Sequence, residues 1–81
     1  MATVKVYNNH SQPIGFMNVN STSVSGISNR SGYIGYWTKS GSTGITFTKD
    51  SKIFCYGEGT GGLETLIRLA DAGIAPEKLM R

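Results

Sequence analysis

The sequence is poor in the residues that build catalytic and metal sites, with one cysteine, one histidine and five acidic residues. A single cysteine cannot form an intrachain disulfide, which excludes the disulfide-stabilised domains common among small secreted proteins. Cys55 and His10 alone are too few to hold a zinc ion. No spacing among the acids supplies the paired carboxylates of an acid–base enzyme: Asp50, Glu58, Glu64, Asp71 and Glu77. We therefore predict a non-enzymatic protein with no metal and no cofactor.

Long apolar runs are also missing, and none approaches the roughly 20 residues of a membrane-spanning helix. The first residues, 1–5, lack the basic and then apolar pattern of a secretory leader. Cys55 is expected inside as a small hydrophobic side chain. These features predict a protein of the reducing cytoplasm without a membrane partner.

Positive charge exceeds negative charge, giving a net charge of +3 and a pI near 9.3. The eight basic residues are spread along the whole chain: Lys5, Arg30, Lys39, Lys49, Lys52, Arg68, Lys78 and Arg81. A dedicated nucleic-acid binder gathers its cations on one face, so single-stranded nucleic acid is kept only as an alternative partner. The positive net charge counts against mimicry of DNA, because such mimicry needs an acidic surface.

A chain of 81 residues is predicted to be a single domain, 1–81, with a small core. Such a chain hides only about 60–65% of its extended surface on folding, and no disulfide supplements its stability. We therefore expect a homo-oligomer, whose subunit number the sequence leaves open.

Alternation of apolar and polar residues predicts about five strands, at 3–7, 14–19, 32–39, 45–48 and 53–56. In the second strand, Ile14 and Phe16 differ in parity from Met17 and Val19, which predicts a bulge or burial of both faces. The stretch 20–32 is rich in Ser, Asn and Gly, and is predicted as a loop with room for a short strand. Whether this loop is a functional lid or a plain connection is left open.

A helix is predicted at 63–73, because apolar residues recur there at the spacing of one helical stripe: Leu63, Leu66, Ile67 and Ala70. Glu64 precedes Arg68 by four residues, which favours an ion pair. Gly73 and Ile74 suit a Schellman-type stop in which the chain folds back on Leu69. A further short helical turn is predicted at 75–80.

The fold class is therefore α+β: a mostly antiparallel twisted sheet with the C-terminal helix on one face, or a small open barrel if the sheet coils. The predicted strand at 32–39, which is rich in aromatic residues, is apolar on both sides and is expected to be central in the sheet. Within it, Tyr33 and Trp37 are predicted to share one face with Gly35 between them, and Ile34 and Tyr36 to share the other.

A glycine-rich loop between the last strand and the helix is the first candidate site. Its predicted ligand-binding residues are Gly57, Gly59, Thr60, Gly61 and Gly62, which contain the G-x-G-x-x-G spacing of a phosphate-binding loop. The stretch 63–81 is too short to complete a βαβ unit, and Glu58 places a negative charge in the loop. The alternative is a flexible connection in which Thr60 or Gly61 caps the helix.

Aromatic residues supply the second candidate site. Tyr33, Trp37 and Tyr56 are predicted to stack on a nucleobase, with Gly35 leaving room for a flat ring. The alternative is that this face packs on a second copy of the chain.

Three functional hypotheses follow. The first is capture of a phosphate-bearing, nucleotide-like small molecule for sequestration or sensing, with viral counter-defence as one setting. The second is a protein-interaction module or inhibitor that docks a protein partner through its aromatic sheet face. The third is binding of single-stranded nucleic acid through aromatic residues and turn lysines. The identity of the ligand and of the host is not readable from the sequence.

Overall fold

The computed structural model describes residues 2–78, which form a six-stranded antiparallel sheet and one α-helix. The strands are β1 Ala2–Tyr7, β2 Pro13–Val19, β3 Ser23–Ser28, β4 Gly32–Ser40, β5 Thr43–Thr48 and β6 Ile53–Tyr56. They follow one another across the sheet in chain order, so each strand pairs with the next through a short turn. The sheet stays open, with β1 and β6 as its edges, which confirms the α+β class.

Strand β3 lies inside the stretch predicted as a loop, and it brings the strand count to six. Its alternation involves small residues: Val24, Gly26 and Ser28 are buried under the helix, while the residues between them are half-buried. The strand is held on both sides by β2 and β4. Tertiary pairing therefore makes a strand of a sequence with little intrinsic preference for one.

Strands β2, β4 and β6 each carry one extra residue, a β-bulge, at Ile14, Ile34 and Phe54. In β2 the bulge confirms one of the two predicted explanations for its broken alternation. Ile14 and Ile34 are buried in the core, and Phe54 packs against it. Each bulge thus adds an apolar side chain to the core, because it reverses the alternation of the strand.

The three bulges, at positions 14, 34 and 54, are 20 residues apart. The pairing register of the three hairpins repeats at the same interval of 20 residues. The residues that begin the hairpin turns keep this interval too: Asn8, Ser28 and Thr48. Each accepts a backbone hydrogen bond on its side-chain oxygen, from Gln12, Arg30 and Lys52 among others. The chain from 2 to 56 is therefore a tandem array of three β-hairpins that share one repeat interval. The alternation of apolar and polar residues does not reveal this repeat.

Helix α1, Gly61–Ala72, lies across one face of the sheet. Its stripe of Leu63, Leu66 and Ile67 is almost completely buried, which confirms the predicted helical face. Glycines in the sheet let the helix come close: a Cβ added to Gly26 would stand 2.7 Å from Leu63 Cδ1, and one added to Gly15 would stand 2.8 Å from Ile67 Cγ2.

The helix ends as its sequence predicts. Gly73 has a left-handed φ of 74°, and the N–H of Ile74 donates to the carbonyl of Leu69 at 2.9 Å. The predicted pair of Glu64 and Arg68 is present, with 3.7 Å between Oε1 and Nη2.

A short 3-10 helix, Pro76–Lys78, follows the α-helix. The rest of the predicted turn, 79–80, lies outside the described residues. Between 2 and 78 there is no helix long and apolar enough to cross a membrane.

Candidate functional site

The sheet face opposite the helix carries a cluster of large apolar side chains beside polar residues such as Thr3, Asn18 and Ser25, and no element of the described chain covers it. The register of the strands places a set of large side chains there, which we call the open face: Phe16, Ile27, Tyr33, Tyr36, Ile45, Phe47, Ile53 and Tyr56. They are half-buried or exposed, in contrast to the buried residues under the helix. A contiguous apolar surface of this kind is typical of an interaction site.

Charge is nearly absent from the sheet. The six strands contain two charged residues, Lys5 and Lys39, and no acid. By register, Lys5 stands beside Phe16 on the open face, at the edge strand β1. The open face therefore has an apolar centre with one cation at its margin.

The centre of the open face holds an aromatic pair. Tyr36 and Phe47 face each other across β4 and β5, with ring centroids 5.0 Å apart and ring planes 20° from parallel. Tyr33 lies further along β4 and is 47% exposed. Burial, and secondarily the charge of Tyr36, raises the pKa of Tyr33 above that of an ordinary tyrosine. Tyr33 is therefore neutral at physiological pH and available for contact.

Trp37 does not belong to this face. The prediction that Tyr33 and Trp37 share a face is wrong, because the bulge at Ile34 reverses the alternation between them. The indole of Trp37 lies on the helix side against Gly44, and its Nε1–H donates to the carbonyl of Gly57 at 2.9 Å. Trp37 thus anchors the start of the glycine-rich loop.

The bulge at Phe54 acts in the same way on β6. Ile53 and Cys55 lie on opposite faces, although two residues of equal parity share a side in a regular strand. Ile53 belongs to the open face, whereas Cys55 is half-buried on the helix side, where its Sγ contacts Gly62.

The glycine-rich loop runs from β6 to the helix. Thr60 occupies the N-cap position, but its hydroxyl makes no capping hydrogen bond and instead donates to Glu64 Oε2 at 3.4 Å. A Cβ added at Gly57, Gly59 or Gly61 would meet nothing within 4 Å, and these residues have no left-handed φ. The fold therefore does not require glycine at these three positions.

The predicted site residues are only partly brought together. Trp37 contacts the loop at Gly57, and Tyr56 adjoins the loop in the chain while lying on the open face. Tyr33 pairs with Ile27 next to the turn at 28–32, at the opposite end of the sheet. A single pocket formed by Tyr33, Trp37 and the loop is thus not present.

A cleft of about 300 Å³ lies on the helix side, between the C-terminal end of the helix and two hairpin turns. Ile34, Leu66 and Ile74 give it apolar walls, and Lys49 and Asp50 stand at its rim. Within residues 2–78, no three His, Cys, Asp or Glu side chains lie close enough to hold a metal ion. The cleft can offer a ligand only apolar contacts with its walls and polar contacts at its rim.

Comparisons with protein-family models, with curated proteins and with solved structures gave no significant match. Functional assignment therefore depends on the surfaces of this chain alone.

Proposed function

We propose that this protein is a non-enzymatic interaction module that self-associates by packing the open face of its sheet against the same face of a second copy. The observation that carries the proposal is the uncovered aromatic side of a two-layer fold. One layer is the sheet and the other is a single helix, so the apolar residues on the far side of the sheet have no cover within the described chain.

The size of the face fits such a contact. The molecule measures 34 by 32 Å across and only 19 Å in its thin dimension. The side of the molecule that carries the open face therefore measures about 1,000 Å² in projection, with its polar margins included, and a stable interface buries about 800 Å² on each partner. The open face is large enough to supply this area without a third layer.

The chemistry of the face also suits a second copy. The strands carry no acid. The one cation that they place on this face, Lys5, lies on an edge strand where it stays hydrated. Two antiparallel sheets pack about 10 Å apart with their side chains interdigitated, which would bury the stacked Tyr36–Phe47 pair of each copy. An isologous dimer places the same apolar centre on both sides of the interface.

Substitution of exposed residues on the face tests this contact by native mass spectrometry and sedimentation velocity. Tyr33→Ser and Ile53→Ser remove side chains that are 47% and 43% exposed, so the fold itself should tolerate them. Each is expected to weaken dimerisation about tenfold, because each removes a large exposed apolar side chain from the open face. Ile74→Ser is the matched control, because Ile74 is 42% exposed but follows the helix, away from the open face.

A wild-type chain that is monomeric at all accessible concentrations would overturn the proposal. The same mass spectra test the sequence-based hypothesis of nucleotide capture, which predicts an adduct lost on denaturation and sensitive to substitution in the Gly57–Gly62 loop. Binding of a single-stranded oligonucleotide that weakens steeply with salt, and is lost in Tyr33→Ser, would assign the face to nucleic acid instead.

A further inference from the structure

Both edges of the sheet expose large apolar side chains. Val4 and Tyr7 on β1 are 44% and 45% exposed, and Tyr56 on β6 is 65% exposed. The main helix contacts are with β2, β3 and β4, and the outer backbone groups of both edge strands have no partner strand within the described chain. Unpaired edges with apolar side chains are ready partners for another strand.

The internal repeat indicates which strand could pair with each edge of the sheet, and in which register. At the junction of the first and second hairpins, Phe16 pairs with Ile27 and Asn18 with Ser25. At the next junction, one repeat later, Tyr36 pairs with Phe47 and Thr38 with Ile45 in the same antiparallel register. The same pairing register between neighbouring hairpins therefore occurs twice within one chain. A third contact in this register would join β6 of one copy to β1 of another.

We propose that the end of β6 and the segment that follows it, 56–59, pair with β1 of a second copy in this register, head to tail. The position that follows Tyr36 by one repeat is Tyr56, and the position that follows Thr38 by one repeat is Glu58. In this register Tyr56 stands opposite Tyr7 of the second copy, and Glu58 stands opposite Lys5 of the second copy. The partner is thus another copy of this chain. The contact uses the outer backbone groups of the edge strands, which the open-face contact does not use, although the side chains of Tyr56 and Lys5 lie on the open face.

The direction of the backbone hydrogen bonds supports this pairing. The N–H of Gly57 donates to the carbonyl of Gly44 at 2.9 Å, which continues the ladder between β5 and β6. Neighbouring residues in an antiparallel strand point their backbone groups the other way, so Tyr56, the last residue of β6, presents its groups at the outer edge. Glu58 follows in a bend, which becomes extended when the pairing forms. By the repeat, Val4 corresponds to Gly44, so Lys5 and Tyr7 point their backbone groups away from β2.

The side chains match as well. Tyr56 and Tyr7 would form a cross-strand aromatic pair, equivalent to the stacked pair of Tyr36 and Phe47. Glu58 and Lys5 would form an ion pair on the same face of the sheet. In this register the contact between copies would include two glycines, Gly57 and Gly59, that the fold of one copy does not require.

Those glycines are Gly57 and Gly59, which would lie opposite Val6 and Val4 of the second copy. The pairing begins at Tyr56, because Cys55 occupies the repeat position held by glycines in the first two hairpins. A Cβ at either of those two glycines would overlap a carbonyl of the next strand. Since the contact is heterologous, it propagates into a ring or a filament.

Charge exchange tests the register. In a Tyr33→Ser background, which weakens the open-face contact, Lys5→Glu and Glu58→Lys are each expected to lower head-to-tail association roughly tenfold in sedimentation velocity, since like charges then face each other. An equimolar mixture of the two variants should recover the parent association, because every interface again pairs Lys with Glu. Lys39→Glu is the control, since it makes the same charge change away from the edges.

Cysteine pairs test the same register without relying on charge. In a Cys55→Ser background, Tyr7→Cys combined with Tyr56→Cys places two thiols opposite each other, within the Cα spacing that a disulfide allows. Oxidation should give a covalent ladder longer than a dimer, whereas Tyr7→Cys alone can give only dimers. Single charge variants that associate like the parent, together with the absence of a ladder, would overturn the proposal whatever the state of the open face.

Discussion

Gly15 lies where strands β2 and β3 come close together beneath the helix. A Cβ at this position would overlap the carbonyl oxygen of Ile27 and stand 2.8 Å from Ile67 Cγ2. Because one of these neighbours is backbone, the clash cannot be relieved by a change of rotamer. We expect Gly15→Ala to lower the free energy of unfolding by about 1–3 kcal/mol in chemical denaturation.

Gly59→Ala is the control, since a Cβ there meets nothing within 4 Å and the residue lies in the exposed loop. Its unfolding midpoint should equal or slightly exceed that of the wild type, because alanine restricts the unfolded chain. Equal losses for both variants would mean that the close approach at Gly15 does not contribute to stability.

Side-chain direction was the least predictable property of individual residues. Tyr33 and Trp37 have the same parity, and their sharing of a face follows only if the strand is regular. A single bulged residue between them, Ile34, reverses the outcome. Its cause is packing, since the extra residue is buried against the helix, and a one-strand pattern does not contain that information.

The glycine-rich loop is held to the sheet by one side chain. The Nε1–H of Trp37 donates to the carbonyl of Gly57 at 2.9 Å. Trp37→Phe removes this bond and retains an aromatic ring on the helix side. Since such a bond contributes about 0.5–1.5 kcal/mol, the amide of Gly57, which donates to the carbonyl of Gly44 at 2.9 Å, should exchange with solvent up to roughly tenfold faster in hydrogen exchange.

Tyr36→Phe provides the comparison for that measurement, because it removes one hydroxyl from the open face and leaves the loop untouched. Exchange of the Gly57 amide at the wild-type rate in Trp37→Phe would show that the bond to Gly57 does not restrain the loop.

The elements differ in how far their sequences predict them. Helix α1 was predictable because its stripe and its Gly73 stop are local signals. Strand β3 was not, because its core positions include Gly26 and Ser28, which carry no hydrophobic signal. A signal was nevertheless present, since a comparison of the chain with itself, shifted by one hairpin repeat, aligns 23–28 with the evident strand at 43–48.

At the scale of the whole molecule, the three-hairpin repeat produces two kinds of surface. Equivalent positions of successive hairpins bring Phe16, Tyr36 and Tyr56 to the open face. The unpaired outer strands of the first and third hairpins are the edges of the sheet. The open face supports an isologous contact and the edges support a heterologous one, so the two contacts should be separable.

Four chains compared by sedimentation velocity would separate them: the wild type, a face variant with Tyr33→Ser and Ile53→Ser, an edge variant with Lys5→Glu, and the combination. We expect the wild type to form the largest species, the face variant to keep head-to-tail oligomers, the edge variant to stop at dimers, and the combination to be monomeric. The reason is that additivity holds for sites that share no contacts. If either variant alone were fully monomeric, the two surfaces would be coupled, and a single interface would account for both.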